Sequence, residues 1–336
     1  MNKFIKTFMI AVTLVFLLVA CSSKSSNSSK GIKPLEIDLA AVYNDDSPDV
    51  EGAKKFAEIV EEKTNGEIKV NIFSNGTLGS EKDNFTELSS GDLDMALGGS
   101  AGIEMFAEEY MFFLAPFLIE DLDHLEEWFE SDLHEDMTER MKENNVRHLG
   151  DIVRGARNTT ANKPVETPED LEELKFRLPE TDTLVEVFSA LGAKPTSVSL
   201  DELYSSLQTG VVDASEGPYE QIASNQLDEV QDYLIKTEHI FDVSAIWINE
   251  DFFESLTEEQ QKIITSAGEE AAQYASDTAL NKQDEYLEQL EKSDMKIMDL
   301  TDEQLDVFKE KAKPTLEKMF KEKFTVTTYE DFLSDL

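Results

Sequence analysis

Apolar and polar positions along this chain change period repeatedly, and the changes predict alternating strands and helices. Leu35–Tyr43 is a largely apolar run that reads as a first strand. Ser47-Pro48 supplies an N-cap followed by a first-turn proline. Ala53, Phe56, Ala57 and Val60 then recur on one helical face, and the helix runs to about Lys63. Asn65-Gly66 ends it. Ile68, Val70 and Ile72 alternate with polar residues, the pattern of a half-buried strand. Such an opening requires a right-handed crossover and a parallel strand pair. Ser80 can cap a helix to about Ser90, and Leu93–Leu97 reads as a third strand. The loops at Asn44, Asp45 and Gly98–Ser100 fall at strand ends, where open α/β sheets hold ligands. For Asn44 a turn role at the helix entry is the plainer reading.

The same punctuation returns in residues 174–218. A short apolar run carries one cation, Arg177, and breaks at Pro179. The predicted helix Asp182–Leu191 stops at Gly192. A second, Leu200–Thr209, starts at Ser199 with Glu202 completing a capping box and stops at Gly210. Val211–Val212 then leads into DASEGP. Elsewhere Phe106–Phe117 is crowded with aromatics that read as core and cleft lining. Asp123–Glu143 reads as one charged amphipathic helix with Leu125, Trp128 and Phe129 inside. Tyr233–Glu238 and Phe241–Ile248 are strand candidates. Thr257 to about Lys292 is helical with hardly a break; that length spans on the order of 50 Å, more than one small domain needs. A capped helix runs from Thr301 through Lys321.

The start of the chain has a different character. Lys3 and Lys6 precede the uncharged apolar run Phe8–Ala20, which is too short for a membrane span and right for a signal peptide over residues 1–20. It ends in Leu18-Val19-Ala20-Cys21, which looks like a lipobox, so Cys21 is the expected lipidation site. Cys21 is also the sole cysteine, so the mature protein would have no thiol and no disulfide. Residues 21–33 read as a flexible polar tether behind the lipid.

The roughly 300 residues that remain suggest about two domains. The formal net charge of −41 makes nucleic acid and anionic lipid improbable partners. It also repels an anionic ligand at long range, so binding one requires a locally positive cleft. No G-x-S-x-G and no H-E-x-x-H occurs, and no spacing matches a metal site. No cofactor and no metal is therefore expected, and His124 and His134 read as surface residues. Arginine is the informative residue type. The chain has five, all between positions 140 and 177: Arg140, Arg147, Arg154, Arg157 and Arg177. Arginine offers a planar fork that grips a carboxylate through two parallel hydrogen bonds, which lysine does not. Arg140 and Arg147 read as surface ion-pair partners. Arg157 and Arg177 are open to either role.

The segments GARNTTANKP (155–164), TPEDLEELKFRLP (167–179) and ALGAKPTSVSLDELYSSLQTGVVDASEGP (190–218) resemble the dicarboxylate-type solute-binding proteins of TRAP (tripartite ATP-independent periplasmic) transporters, as do VYNDDSP and NGTLGSE. The resemblance extends over nearly all of the mature chain. It implies a two-lobe periplasmic-binding-protein-like α/β fold with a cleft between the lobes and a long helix spanning both. Residues 34–154 plus 243–282 would form lobe I, and residues 155–242 plus 283–336 lobe II. It implies that Arg177, in the KxRxP segment, clamps a ligand carboxylate, that Arg157, in GxRxxTxN, supports it, and that Leu200 lines the site. Where the family reads DGQENP this chain has Asp213-Ala214-Ser215-Glu216-Gly217-Pro218, so Gly217 stands where an asparagine often reaches the ligand, beside Glu216. The implied function is that of a non-enzymatic, monomeric receptor on the outer face of the cytoplasmic membrane. It would bind a dicarboxylate, sugar acid or keto acid and deliver it to integral membrane permease subunits. A sensor feeding a membrane kinase and an extracellular hydrolase or lyase are the alternatives.

Overall fold

The computed structural model describes residues 32–335, so the signal peptide, Cys21 and most of the tether lie outside the described residues. The strands are β1 (Leu35–Ala41), β2 (Ile68–Phe73), β3 (Met95–Gly98), β4 (Val146–Ala161), β5 (Lys175–Leu178), β6 (Lys194–Ser197), β7 (Ala214–Gly217), β8 (Tyr233–Asn249) and β9 (Lys296–Asp299). They form one mixed sheet in the order β2-β1-β3-β8-β4-β7-β5-β6, with β9 also paired to β8. The opening β1–helix–β2 unit is a parallel pair, as its pattern predicts. Its helix, Pro48–Lys63, starts where Ser47 Oγ accepts the Val50 N–H.

Two long antiparallel strands carry the sheet from one lobe to the other. β8 pairs with β9 through Tyr233–Lys236 in the second lobe and with β3 through Ala245–Ile248 in the first. β4 lies beside it along nearly its whole length. The two strands expected at Tyr233–Glu238 and Phe241–Ile248 are thus one. Ile240 pairs with Arg157, and residues 236–239 are taken up in the register shift between Arg157 and Thr159.

A continuous apolar core joins the lobes, with Phe85 and Trp247 in the same cluster as Phe176, Phe188 and Phe320, and each lobe adds a further core. In the first, Phe56, Val60, Ile264, Ala271 and Ala275 pack under Ile37, Leu39 and Ile248. In the second, Leu203, Leu207, Ile222, Leu234 and Leu290 form a smaller core. The aromatics after β3 are interior residues, Phe113 stacking on Trp128 at 4.7 Å between ring centroids.

Three helical expectations change. Asp123–Glu143 is two helices, Leu122–Phe129 and Asp132–Glu143, because Ser131 caps the second by accepting from His134 N at 3.2 Å. The run from Thr257 is divided at Lys282 into Glu258–Asn281 and Gln283–Glu291. At the break the Gln283 amide donates to the Arg154 carbonyl at 3.2 Å, where the helix passes Gly155 so closely that a Cβ there would meet the Gln283 side chain at 2.8 Å. The helix expected from Ser199 begins only at Leu203. Residues 200–202 instead make a turn closed by Leu203 N on Leu200 O, which leaves Leu200 outside the helix.

Candidate ligand-binding site

Arg154 and Arg157 both sit on β4. Three residues apart on a regular strand, their side chains would point to opposite faces. The register shift between Val153 and Gly155 removes that constraint, and Gly155 has the left-handed φ of +95° that favours glycine. Both guanidinium groups therefore reach Asp242 Oδ2 on β8, Arg154 at 2.7 Å and Arg157 at 2.9 Å. Arg154 also meets Asp49 and Glu220, each at 3.1 Å, and its guanidinium lies 4.4 Å from the centre of the Tyr43 ring. Arg157 grips Glu216 on β7 with two nitrogens, Nη2 to Oε1 at 2.6 Å and Nε to Oε2. His239 Nε2 lies 3.3 Å from the same carboxylate.

All these charges are buried. Burial works against the Arg154 charge, but Asp49, Asp242 and Glu220 outweigh it and hold the group well above the ordinary arginine value. Arg157 is raised in the same way by Asp242 and Glu216. Burial alone would raise Glu216; the charges of Arg157 and His239 overcome this and hold it well below the usual carboxylate range.

Arg177 is different. It lies on β5, two strands from β4, and is 2 % exposed. Its Nε donates to the Val198 carbonyl at 2.8 Å. Among the described residues, neither of its terminal nitrogens has a hydrogen-bond or ion-pair partner. Burial pulls its pKa down to about 10; Arg157 acts in the same direction, against partial compensation by Glu216. This guanidinium is thus held in place from behind and left uncompensated in front.

The space in front is a narrow, half-open gap of about 30 Å³ between the lobes. Tyr43, Glu81, Gly99 and Ser100 line it from the first lobe. Arg177, Pro179, Leu200 and Gln221 line it from the second, with Arg154, Arg157 and Asp242 on the crossing strands. Sites that take organic ligands usually measure about 300–1,000 Å³, so a solute enters only when the lobes part. A larger groove of about 840 Å³ lies elsewhere, but it is lined by Asp136, Glu139, Glu143, Glu250, Asp251 and Glu254. Its two cations are already paired, Arg140 with Glu109 and Glu143 and Lys142 with Glu139, so it offers an anion little.

The structure brings Arg177, Arg157 and Leu200 together on the gap. Asn44, Glu216 and Gly217 do not line it. Asn44 is a turn residue whose carbonyl accepts from Ser47 N. Glu216 lies behind Arg157. At Gly217 a Cβ would run into the amide nitrogen of Gln221, which donates to the Glu216 carbonyl at 3.2 Å and itself reaches the gap. Arg154, Glu81, Gln221 and Asp242 were not singled out from the sequence. For Arg154 the confinement of arginine to positions 140–177 was a usable signal; for Glu81 there was none, because an acid in a first helical turn is ordinary. Nor is the surrounding cleft positive as expected, since Asp49, Glu81, Glu216, Glu220 and Asp242 stand against three arginines. Order, not net charge, distinguishes it: the uncompensated cation faces the gap.

Arg147 is an ion-pair residue, bidentate to Glu250 at 2.5 and 2.6 Å. His124 and His134, expected on the surface, are both part-buried with their Nε2 atoms inside: His124 Nδ1 accepts from Glu120 N, whereas His134 lies beside Asp151.

The profile of "Bacterial extracellular solute-binding protein, family 7", the DctP family, matches residues 39–323. The chain belongs to this family. A solute-binding protein of Roseobacter denitrificans is 31% identical over 257 residues, covering 76% of this chain and 79% of the relative. The ectoine/5-hydroxyectoine-binding periplasmic protein UehA of Ruegeria pomeroyi is 34% identical, covering 79% of each. The C4-dicarboxylate-binding protein DctB of Bacillus subtilis is 28% identical, covering 81% of this chain and 79% of the relative. Among solved structures, a TRAP periplasmic solute-binding protein of R. denitrificans with bound L-galactonate superposes with a TM-score of 0.82 at 28% identity, covering 91% of this chain and 98% of that one. The two-lobe α/β fold and the role of a solute receptor rather than an enzyme follow from membership of the DctP family. No helix among the described residues is long and apolar enough to cross a membrane.

Proposed function

We propose that this protein is the extracytoplasmic receptor of a TRAP transporter and binds one small organic acid with its carboxylate on the two terminal nitrogens of Arg177. The observation that carries this reading is the buried guanidinium with a bound Nε and no acceptor on its outer edge. Leaving a buried charge unpaired is costly, and a carboxylate fits the two free donors in parallel. Lobe closure excludes water and strengthens the pair. Arg157 is saturated by Glu216 and Asp242, so its role is to stiffen the wall rather than to share the ligand. Lobe I would comprise residues 34–154 plus 243–282, and lobe II residues 155–242 plus 283–336.

The opposite wall narrows the ligand class. Glu81 accepts the Gly99 N–H and lines the gap; burial raises its pKa. A second ligand carboxylate would meet this acid, whereas hydroxyl groups would donate to it. We therefore favour a hydroxylated monocarboxylate, of the sugar-acid type, over a C4-dicarboxylate. Glu81 favours a zwitterion with a cationic far end as a second reading. Calorimetry with galactonate, succinate and ectoine separates the three. Binding of succinate alone would overturn the assignment of Glu81 as a donor-selecting wall.

The closed receptor would deliver its solute to the membrane permease, tethered through a lipid on Cys21. A Cys21→Ser protein recovered from the medium, with the parent in the membrane fraction, is the expected result for the anchor.

A further inference from the structure

A second cluster of chemically active side chains lies on the first lobe, outside the gap that Arg177 faces. It combines His134, on helix Asp132–Glu143, with His148 and Asp151 on β4. His148 and Asp151 are three residues apart and would face opposite ways on a regular strand. The register shift between His148 and Gly150 turns them to the same side. Asp151 then presents one oxygen to each imidazole: Oδ1 lies 2.9 Å from His148 Nε2, and Oδ2 lies 3.0 Å from His134 Nε2. One donor atom from each residue lies within 4.8 Å of the other two. His134 Nε2 is fully buried, yet despite its short distance to Asp151 it makes no well-directed hydrogen bond. Aromatic rings fix both imidazoles, Trp247 at 5.7 Å from His148, and Trp128 at 5.8 Å and Phe129 at 5.5 Å from His134.

We propose that His134, His148 and Asp151 bind a single transition-metal ion of the zinc type and thereby tie helix Asp132–Glu143 to β4. Two imidazole nitrogens and a carboxylate suit Zn²⁺, Cu²⁺ or Ni²⁺, whereas Mg²⁺ and Ca²⁺ require oxygen ligands. Three protein ligands leave a fourth tetrahedral position for water. With bonds of about 2.0–2.2 Å, the edges of such a tetrahedron are about 3.3 Å. The two short separations run to different Asp151 oxygens, so one oxygen turns toward the ion and the three donor atoms, now within 4.8 Å of one another, draw together. Each imidazole must present Nε2 to the ion without a proton, so affinity should fall at acid pH. Asp151 also lines a half-open cavity of about 430 Å³, with Leu122, Glu126 and Phe129, which supplies an entry path.

The test is calorimetric titration of the mature protein with Zn²⁺ near neutral pH, with excess Mg²⁺ present to occupy the acidic surface. One tight equivalent is expected. It should be lost in His134→Gln and weakened about tenfold or more in Asp151→Asn, with the circular dichroism of both variants unchanged. Co²⁺ in place of Zn²⁺ should give the visible absorption of a four-coordinate site in the parent and not in His134→Gln. A parent with no stoichiometric equivalent, or an equivalent that survives both substitutions at full strength, overturns the assignment and leaves a hydrogen-bonded His–Asp–His cluster.

Discussion

Arg154 and Arg157 are surrounded by the carboxylates of Asp49, Glu216, Glu220 and Asp242, whereas Arg177, two strands away, meets a single backbone carbonyl. All three are equally buried, so burial alone does not distinguish them. The difference lies in what each was folded against. The first two complete their pairing within the chain, and their charge is a structural requirement of the lobe crossing. The third is positioned through Nε but left without an acceptor on its outer edge, and on the proposed reading its partner is the ligand carboxylate. The contrast separates two consequences of losing a cation: loss of fold and loss of binding.

The largest effect is expected at the saturated end. Arg154→Ala would leave Asp49 and Glu220 buried without their cation and Asp242 with Arg157 alone, and breaking buried pairs costs about 3–5 kcal/mol or more. Urea denaturation should show at least that loss. Arg177→Ala should do the reverse. Binding of the cognate acid should weaken by about 3–5 kcal/mol, a factor of a few hundred to a few thousand in Kd, while resistance to urea stays level or rises. Arg177→Lys restores the charge without the fork and should recover little. Near-parental affinity in Arg177→Ala, or a collapse of its stability, would erase the contrast.

Acidity provides a graded version of the same comparison. Glu216 has a folded pKa held below its unfolded value of about 4.3. Its contribution to stability is therefore complete above that unfolded value and declines as pH falls toward the lower folded value. Denaturation midpoints measured downward from neutral pH should drop below about pH 4.5 in the parent, and the drop should be shallower in Glu216→Gln. The smallest effect is expected at Gly217→Ala. The new methyl group must displace the Gln221 amide, and overpacking of this kind costs about 1–3 kcal/mol. Because Gln221 lines the gap, solute affinity should change along with stability; an unchanged affinity would show that Gln221 is not a ligand contact.

How much of this was legible in the sequence depended on whether a signal was local. Helix caps, glycine stops and the period-two strand at Ile68–Ile72 depend on neighbouring residues, and the opening parallel unit followed from them. Arg177 stood out because arginine is scarce and because it precedes Pro179 at a strand end. Arg154 and Asp242 did not, because their meeting depends on the shift at Val153–Gly155, and nothing in the local pattern shows which side a bulged strand turns toward. His148 and Asp151 were hidden for the same reason, which left His134 reading as a surface residue. The division at Lys282 was equally unreadable, since the helical pattern continues through it and only the approach of Gly155 interrupts it.

Because β4 and β8 each begin in one lobe and end in the other, the molecule has no seam along which it could be cut. A fragment holding either lobe alone would expose bare strand edges where the shared pair had been, so the halves cannot be traded or inherited as independent modules. Heat or denaturant should take the whole chain apart in one step.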